Sequence, residues 1–294
     1  MDRTHRRCKN LRFLLGSLRG KAPHLAFLLL FPVTTQAQPA SAWAAASTPT
    51  PGPARVIGGT GLGCMAGAAM LPPEGPGYQV VRLSRNRNWG QPELIRFMQD
   101  FAARSRGLGL PDLWIGDLSQ PRGGPMPNAH LSHQVGLDAD VWLDLSRKPV
   151  MSRAARENIP ETSLVLPDQS EVDPALFTPD HARLIRLAAE QPGVDRVLVN
   201  HGIKRSLCQM FGGAPWLHRV RPWRGHDSHM HIRLRCPAGQ ADCREGPPIP
   251  AGDGCDASLA WWMSDEARHP PPRIGPPGPP PRLPAACPAL LRLP

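Results

Sequence analysis

Five of the eleven histidines fall in two short windows, His130 with His133, and His226 with His229 and His231. Histidines gathered in this way, next to Asp138 and Asp140, are the residue types that bind a metal ion and move protons. His133, Asp140 and His231 form the expected ligand set. Two imidazoles and one carboxylate leave the fourth tetrahedral position of zinc open to water. Zinc in such a site brings the pKa of water toward neutrality and polarises a carbonyl. The chemistry also needs a group that accepts and relays a proton, and His229 is adjacent to a ligand. The alternative is a buried hydrogen-bond network of carboxylates and histidines. His181, His201, His218 and His269 are scattered and are read as solvated or hydrogen-bonded.

Two strands must carry this set. Residues 137–145 alternate, with Leu137, Ala139, Val141 and Leu143 on one face and Asp138, Asp140 and Trp142 on the other. Residues 229–235 alternate too, with Met230, Ile232 and Leu234 inward and His229, His231, Arg233 and Arg235 opposite. If these strands pair, His133 joins Asp140 and His231 by a turn at Gly136. Pro92 opens a helix whose apolar face is Leu94, Ile95, Met98, Phe101 and Ala102, ending at Gly107. Thr178-Pro179-Asp180 opens a second helix that runs to about Glu190. A strand over 194–200 and a short helix over 203–210 follow. The expected fold class is α+β, a central antiparallel sheet with flanking helices and long loops pinned by disulfides.

Other hydrolytic chemistries lack their residues. There is no H-E-x-x-H, no G-x-S-x-G, no S-x-x-K and no K-T-G. A basic lead, Arg3 to Lys21, precedes the apolar run Leu25 to Val33 and the small-residue site Thr35-Gln36-Ala37. That order is a secretory signal over residues 1–37, and the run is far short of the ~20 residues of a membrane span. Six cysteines follow the leader: Cys64, Cys208, Cys236, Cys243, Cys255 and Cys287. In an exported chain they read as disulfides, with the pairing left open by their spacing. Residues 38–56, rich in Ala, Pro, Ser and Thr, read as a flexible lead-in, and residues 57–294 as one domain with a Pro-rich C-terminal segment. The net charge is +10, carried almost entirely by arginine. It suits an anionic partner, and export argues against nucleic acid.

His133-Gln-Val-Gly-Leu-Asp-Ala-Asp140 and His229-Met-His231 resemble the signatures of zinc peptidases of the lysostaphin and D-Ala-D-Ala metallopeptidase type. Residues 83–90, 116–126, 132–143 and 220–231 resemble the penicillin-insensitive murein endopeptidases more closely. That resemblance implies a periplasmic enzyme that cuts D-alanyl–meso-diaminopimelyl cross-links of peptidoglycan. It implies zinc on His133, Asp140 and His231, with His229 and His226 acting in catalysis. His130 is a further ligand in some accounts of the family, although four protein ligands would close the water position. A second metal site in some relatives corresponds to residues 166–172, where Asp168 and Glu171 are the available ligands. The implied disulfides are Cys64–Cys287, Cys208–Cys255 and Cys236–Cys243. The substrate would be cross-linked murein, with no membrane span, and a homodimer is left open. The competing functions are a D-Ala carboxypeptidase of the same metal class and a non-catalytic peptidoglycan-binding protein.

Overall fold

The computed structural model describes residues 39–127, 130–269 and 282–293, which belong to one unit. The expected leader, residues 1–37, lies outside the described residues, as does most of the Pro-rich stretch. In chain order the elements are α1 (Ala40–Ala44), β1 (Arg55–Gly59), β2 (Leu62–Ala66), β3 (Ala69–Met70), β4 (Glu74–Gly75), β5 (Tyr78–Val80) and β6 (Trp89–Gly90). Then come α2 (Pro92–Gly107), β7 (Leu113–Ile115), β8 (Asp138–Trp142), α3 (Pro179–Glu190), β9 (Val194–Val199) and α4 (His201–Phe211). The chain ends with β10 (Val220–Pro222), β11 (His229–Leu234), α5 (Ala257–Trp262), α6 (Asp265–Arg268) and α7 (Cys287–Leu291).

The main sheet has the order β10-β9-β11-β8-β7-β5-β4. Its centre, β9-β11-β8-β7, is antiparallel, as the sequence predicts. Two parallel pairs, β10 with β9 and β5 with β7, lie outside that centre. Alternation along β8 and β11 sends Ala139, Val141, Met230 and Ile232 into one core. There they meet Leu94, Met98 and Phe101 of α2 and Leu184, Ile185 and Ala188 of α3. The opposite face of the same strands carries the aspartates and histidines. A one-residue slip would exchange the faces, so the burial of the core side holds the chemical side in register.

The helices expected at Pro92 and Thr178 form with the expected starts, and the short third one is α4. Pro92 occupies the first turn of α2. In α3, His181 takes the place that Glu or Gln holds in the usual capping box: its Nδ1 accepts from the Thr178 N–H at 2.9 Å. Its Nε2–H then reaches the Leu143 carbonyl at 2.8 Å, which ties the helix to the end of β8.

The hairpin β1-β2 was not legible in the sequence, and it brackets the loop before β8. Gln134 accepts from the Gly63 N–H (3.1 Å) and donates to the Gly61 carbonyl (2.9 Å). Gly136 has φ +71°, and a Cβ there would lie 2.4 Å from Met65 Sδ, so the turn after His133 requires glycine. The three disulfides are Cys64–Cys287, Cys208–Cys255 and Cys236–Cys243. The first fastens α7 to β2. The described part of the lead-in is packed rather than loose: Trp43 of α1 is fully buried with Ile57, Cys64 and Cys287. One large apolar ring outweighs the surrounding small polar residues. Among the described residues no helix is long and apolar enough to cross a membrane.

Candidate metal centre

Strand pairing places His231 directly opposite Asp140, with Arg233 opposite Asp138 and His229 opposite Trp142. His133 enters from the preceding loop with φ +65°, and His226 has φ +54°. Left-handed backbone at a residue other than glycine is strained, and it collects at functional sites. Here Asp138, fully buried, holds the loop: its Oδ2 accepts from the His133 backbone N–H at 3.1 Å.

Each imidazole is oriented by a partner behind it. His133 Nδ1–H donates to the Leu118 carbonyl at 2.6 Å, which leaves Nε2 as the free donor atom. His231 Nε2–H donates to Asp138 Oδ1 at 2.8 Å, which leaves Nδ1 at 3.2 Å from Asp140 Oδ1. His133 Nε2 lies 3.4 Å from the same oxygen. Among the described residues neither His133 Nε2 nor Asp140 Oδ1 has a hydrogen-bond partner, though both are buried. Unpaired buried polar atoms are costly, and a cation between them satisfies both. Histidine backed by a carboxylate or a carbonyl is the arrangement of metal-ligating imidazoles.

His130 approaches the same carboxylate. Its Nδ1 is 3.9 Å from Asp140 Oδ2, and its Nε2 is 2.9 Å from Asp117 Oδ2. Potential ligand atoms of His130, His133 and Asp140 all lie within 4.8 Å of one another, so these three could hold a metal ion. Among the described residues that trio is the one group of this kind, and His231 approaches the same carboxylate from β11, its Nδ1 3.2 Å from Asp140 Oδ1. Asp168 and Glu171 join no such group among the described residues, and the Asp168 carboxylate is occupied by Ser170 at 2.8 Å.

His229 and His226 flank the trio. His229 Nε2 is 4.0 Å from Asp140 Oδ1, and its Nδ1 is 3.4 Å from Glu161 Oε2. The His226 ring lies 5.0 Å from that of His229, and its Nδ1–H donates to the Arg224 carbonyl at 2.8 Å. Glu161 also accepts from Ser228 Oγ–H and from Arg82, both at 2.6 Å. Sequence reasoning missed Glu161 and Asp117 and gave Asp138 no role. Arg85 and Arg87 before Asp117 were the available hint, since both guanidinium groups bind its carboxylate. The isolated Glu161 carries no such mark.

The electrostatics follow from this packing. Burial opposes the charge of Asp140, yet His133 and His229 hold its carboxyl well below the ordinary range. Burial alone would lower His133, and the Asp140 carboxylate raises it to about 9. A buried carboxylate with that effect attracts a cation. The two flanking histidines separate. Burial lowers His229, but the charges of Asp140 and Glu161 raise it overall. Burial and the neighbouring His231 and His229 push His226 down to about 4.

All these histidines except those of the scattered set line one open cleft of about 570 Å³, together with Asp140, Trp223, Arg196, Arg224 and Arg233. A larger hollow of about 720 Å³, beside Arg186, Phe211 and Trp216, lies apart from the site. Of the scattered histidines, His181 and His218 are hydrogen-bonded as expected, while His201 stacks on Trp262 with ring centres 6.4 Å apart.

An α+β sheet whose polar face gathers histidines and a carboxylate at the floor of a cleft is the framework of a site that could hold a metal ion. The chain belongs to the penicillin-insensitive murein endopeptidase family, whose pattern it matches over residues 56–292. It is 42% identical over 245 residues to the penicillin-insensitive murein endopeptidase of Haemophilus influenzae, covering 81% of this chain and 84% of that one. The protein of the same name from Klebsiella pneumoniae subsp. pneumoniae is 41% identical over 258 residues, covering 86% and 91%. That of Citrobacter koseri is 40% identical over 276 residues, covering 92% and 98%.

Proposed function

We propose that this protein is a zinc endopeptidase that hydrolyses D-alanyl–meso-diaminopimelyl cross-links of peptidoglycan outside the cytoplasm. The observation that carries the reading is the pair of unpartnered buried atoms, His133 Nε2 and Asp140 Oδ1, facing His231 Nδ1. Family membership supplies the substrate class. Three disulfides and the basic, apolar leader of the sequence support an extracytoplasmic site of action.

His133, Asp140 and His231 are the proposed zinc ligands. His231 is preferred over His130 because it sits on a central strand opposite Asp140, is 2% exposed and is closer to that carboxylate. Nitrogen and carboxylate donors suit zinc, which would supply Lewis-acid activation of a carbonyl and of water near neutral pH. The chain's own residues do the rest. His229 takes a proton from the attacking water and gives it to the leaving amine, with Glu161 orienting its Nδ1 edge. His226 stays neutral over the working range. It donates Nδ1–H to Arg224, so Nε2 remains an acceptor for a substrate N–H.

The test is digestion of purified sacculi followed by chromatography of the products. Cross-linked dimers should convert to monomers, the conversion should stop with chelator, and penicillin should leave it untouched. Release of terminal D-alanine alone, with dimers intact, would replace this reading by a carboxypeptidase of the same metal class.

A further inference from the structure

One row beyond the His231–Asp140 pair, the cleft floor carries two arginines side by side. Arg233 of β11 is the direct cross-strand partner of Arg196 of β9. Both line the cleft and both side chains are 16% exposed. Like charges directly opposite on adjacent strands are destabilising, so the pair calls for an explanation. Each guanidinium is anchored by its inner nitrogen. Arg233 Nε–H donates to Asp138 Oδ1 at 2.7 Å, and Arg196 Nε–H to Asp195 Oδ2 at 2.5 Å. Arg196 Nη2 donates further to the Pro247 carbonyl at 2.7 Å. Both Nη groups of Arg233 and Nη1 of Arg196 make no hydrogen bond among the described residues. Fixed guanidinium groups with free outer N–H donors are suited to bind a carboxylate.

We propose that Arg196 and Arg233 form a carboxylate subsite that holds the free carboxylate next to the scissile amide of the cross-link. This rests on the endopeptidase reading. In that cross-link the diaminopimelyl carbon that bears the scissile nitrogen also bears a carboxylate, whereas the acyl side offers only the methyl of D-alanine. Two residues along a strand span roughly 7 Å. A carboxylate two bonds from the scissile nitrogen, plus a charge-assisted hydrogen bond of roughly 2.8 Å, covers that distance. The subsite would select cross-links over amides without a flanking acid.

The test uses two synthetic cross-linked peptides, one with this carboxylate free and one with it as the carboxamide. Wild-type protein should cleave the acid with kcat/KM about tenfold or more above the amide. His229→Ala protein, which does not consume the ligand, should bind the acid correspondingly tighter by calorimetry. Arg196→Gln should bring both ratios toward one, chiefly through KM. Arg233→Lys, which keeps a cation beside Asp138, should do the same with metal content unchanged. Equal binding of acid and amide by the His229→Ala protein would overturn the subsite. So would an Arg196→Gln variant that weakens acid and amide equally. If neither peptide is cleaved while the acid binds tighter, the subsite stands and the endopeptidase reading falls.

Discussion

Asp138→Asn isolates what the buried carboxylate behind the ligands contributes. The carboxylate receives three donors: the His133 N–H and His231 Nε2–H, and the Arg233 Nε–H. Asparagine keeps the shape but replaces one acceptor oxygen by an NH2 group. With that NH2 toward the His133 loop, two donors face each other in a site with no solvent access, a loss of about 1–3 kcal/mol. With it toward β11, His231 must exchange its proton to Nδ1, the atom that faces Asp140. Either way the ligand geometry is no longer held in advance. Removal of such a supporting partner lowers metal affinity by about 10–100-fold, or roughly 1.4–2.8 kcal/mol. The assay is competition with a chromogenic zinc chelator, run beside circular dichroism to confirm the fold. A folded D138N protein that binds zinc within twofold of wild type would refute the proposed support.

His231→Ala should abolish stoichiometric zinc binding, whereas His229→Ala should keep the metal and lose about 10²–10⁴-fold in kcat; mass-spectrometric metal counts beside rates separate the two. Glu161→Gln removes a charge that raises His229, so the limb of the pH–rate profile governed by His229 should move to lower pH. An unshifted profile would deny the coupling. Asp117 gives a stability test. Burial opposes its charge, but the His130 hydrogen bond and Arg87 hold its carboxyl down at about 2. A carboxyl lowered in the folded state stabilises above its unfolded value near ~3.9. That stabilisation is lost as pH falls through about 2. Asp117→Asn should therefore destabilise by roughly 2–3 kcal/mol at pH 7 and flatten the acid dependence of denaturant unfolding between roughly pH 4 and 2.

The two strands that bear Asp140 and His231 were legible because alternation with period two exposes both faces at once. Ala139 and Val141 name the core side, and Asp138 and Asp140 then name the other. The helices of Pro92 and Thr178 were legible from their caps. The hairpin 55–66 and strands 78–80 and 113–115 were not: they are short and buried on both faces, so Leu113-Trp114-Ile115 has no alternation to read. Packing of the lead-in rests on a few side chains, Trp43 and Val56 in the cores and Thr50 on the Gly67 N–H, which its Ala, Pro, Ser and Thr composition hid. Within the site, the histidines and aspartates that come together were readable by type and spacing, but the partners behind them were not. Leu118 acts through its carbonyl, which any residue would supply. Glu161 reaches His229 from 68 positions away in a loop without periodicity. The arginine pair was visible in part, since Arg233 follows His231 on the same face, but its neighbour Arg196 depends on the β9–β11 register.

The most direct test of the central claim is titration of chelator-stripped protein with zinc while conversion of dimeric muropeptides is followed. A single catalytic zinc on these ligands predicts no conversion at the start, recovery in proportion to added zinc, and saturation at one equivalent, with His133→Ala, Asp140→Ala and His231→Ala proteins all failing to recover. Undiminished conversion by fully stripped protein would contradict it.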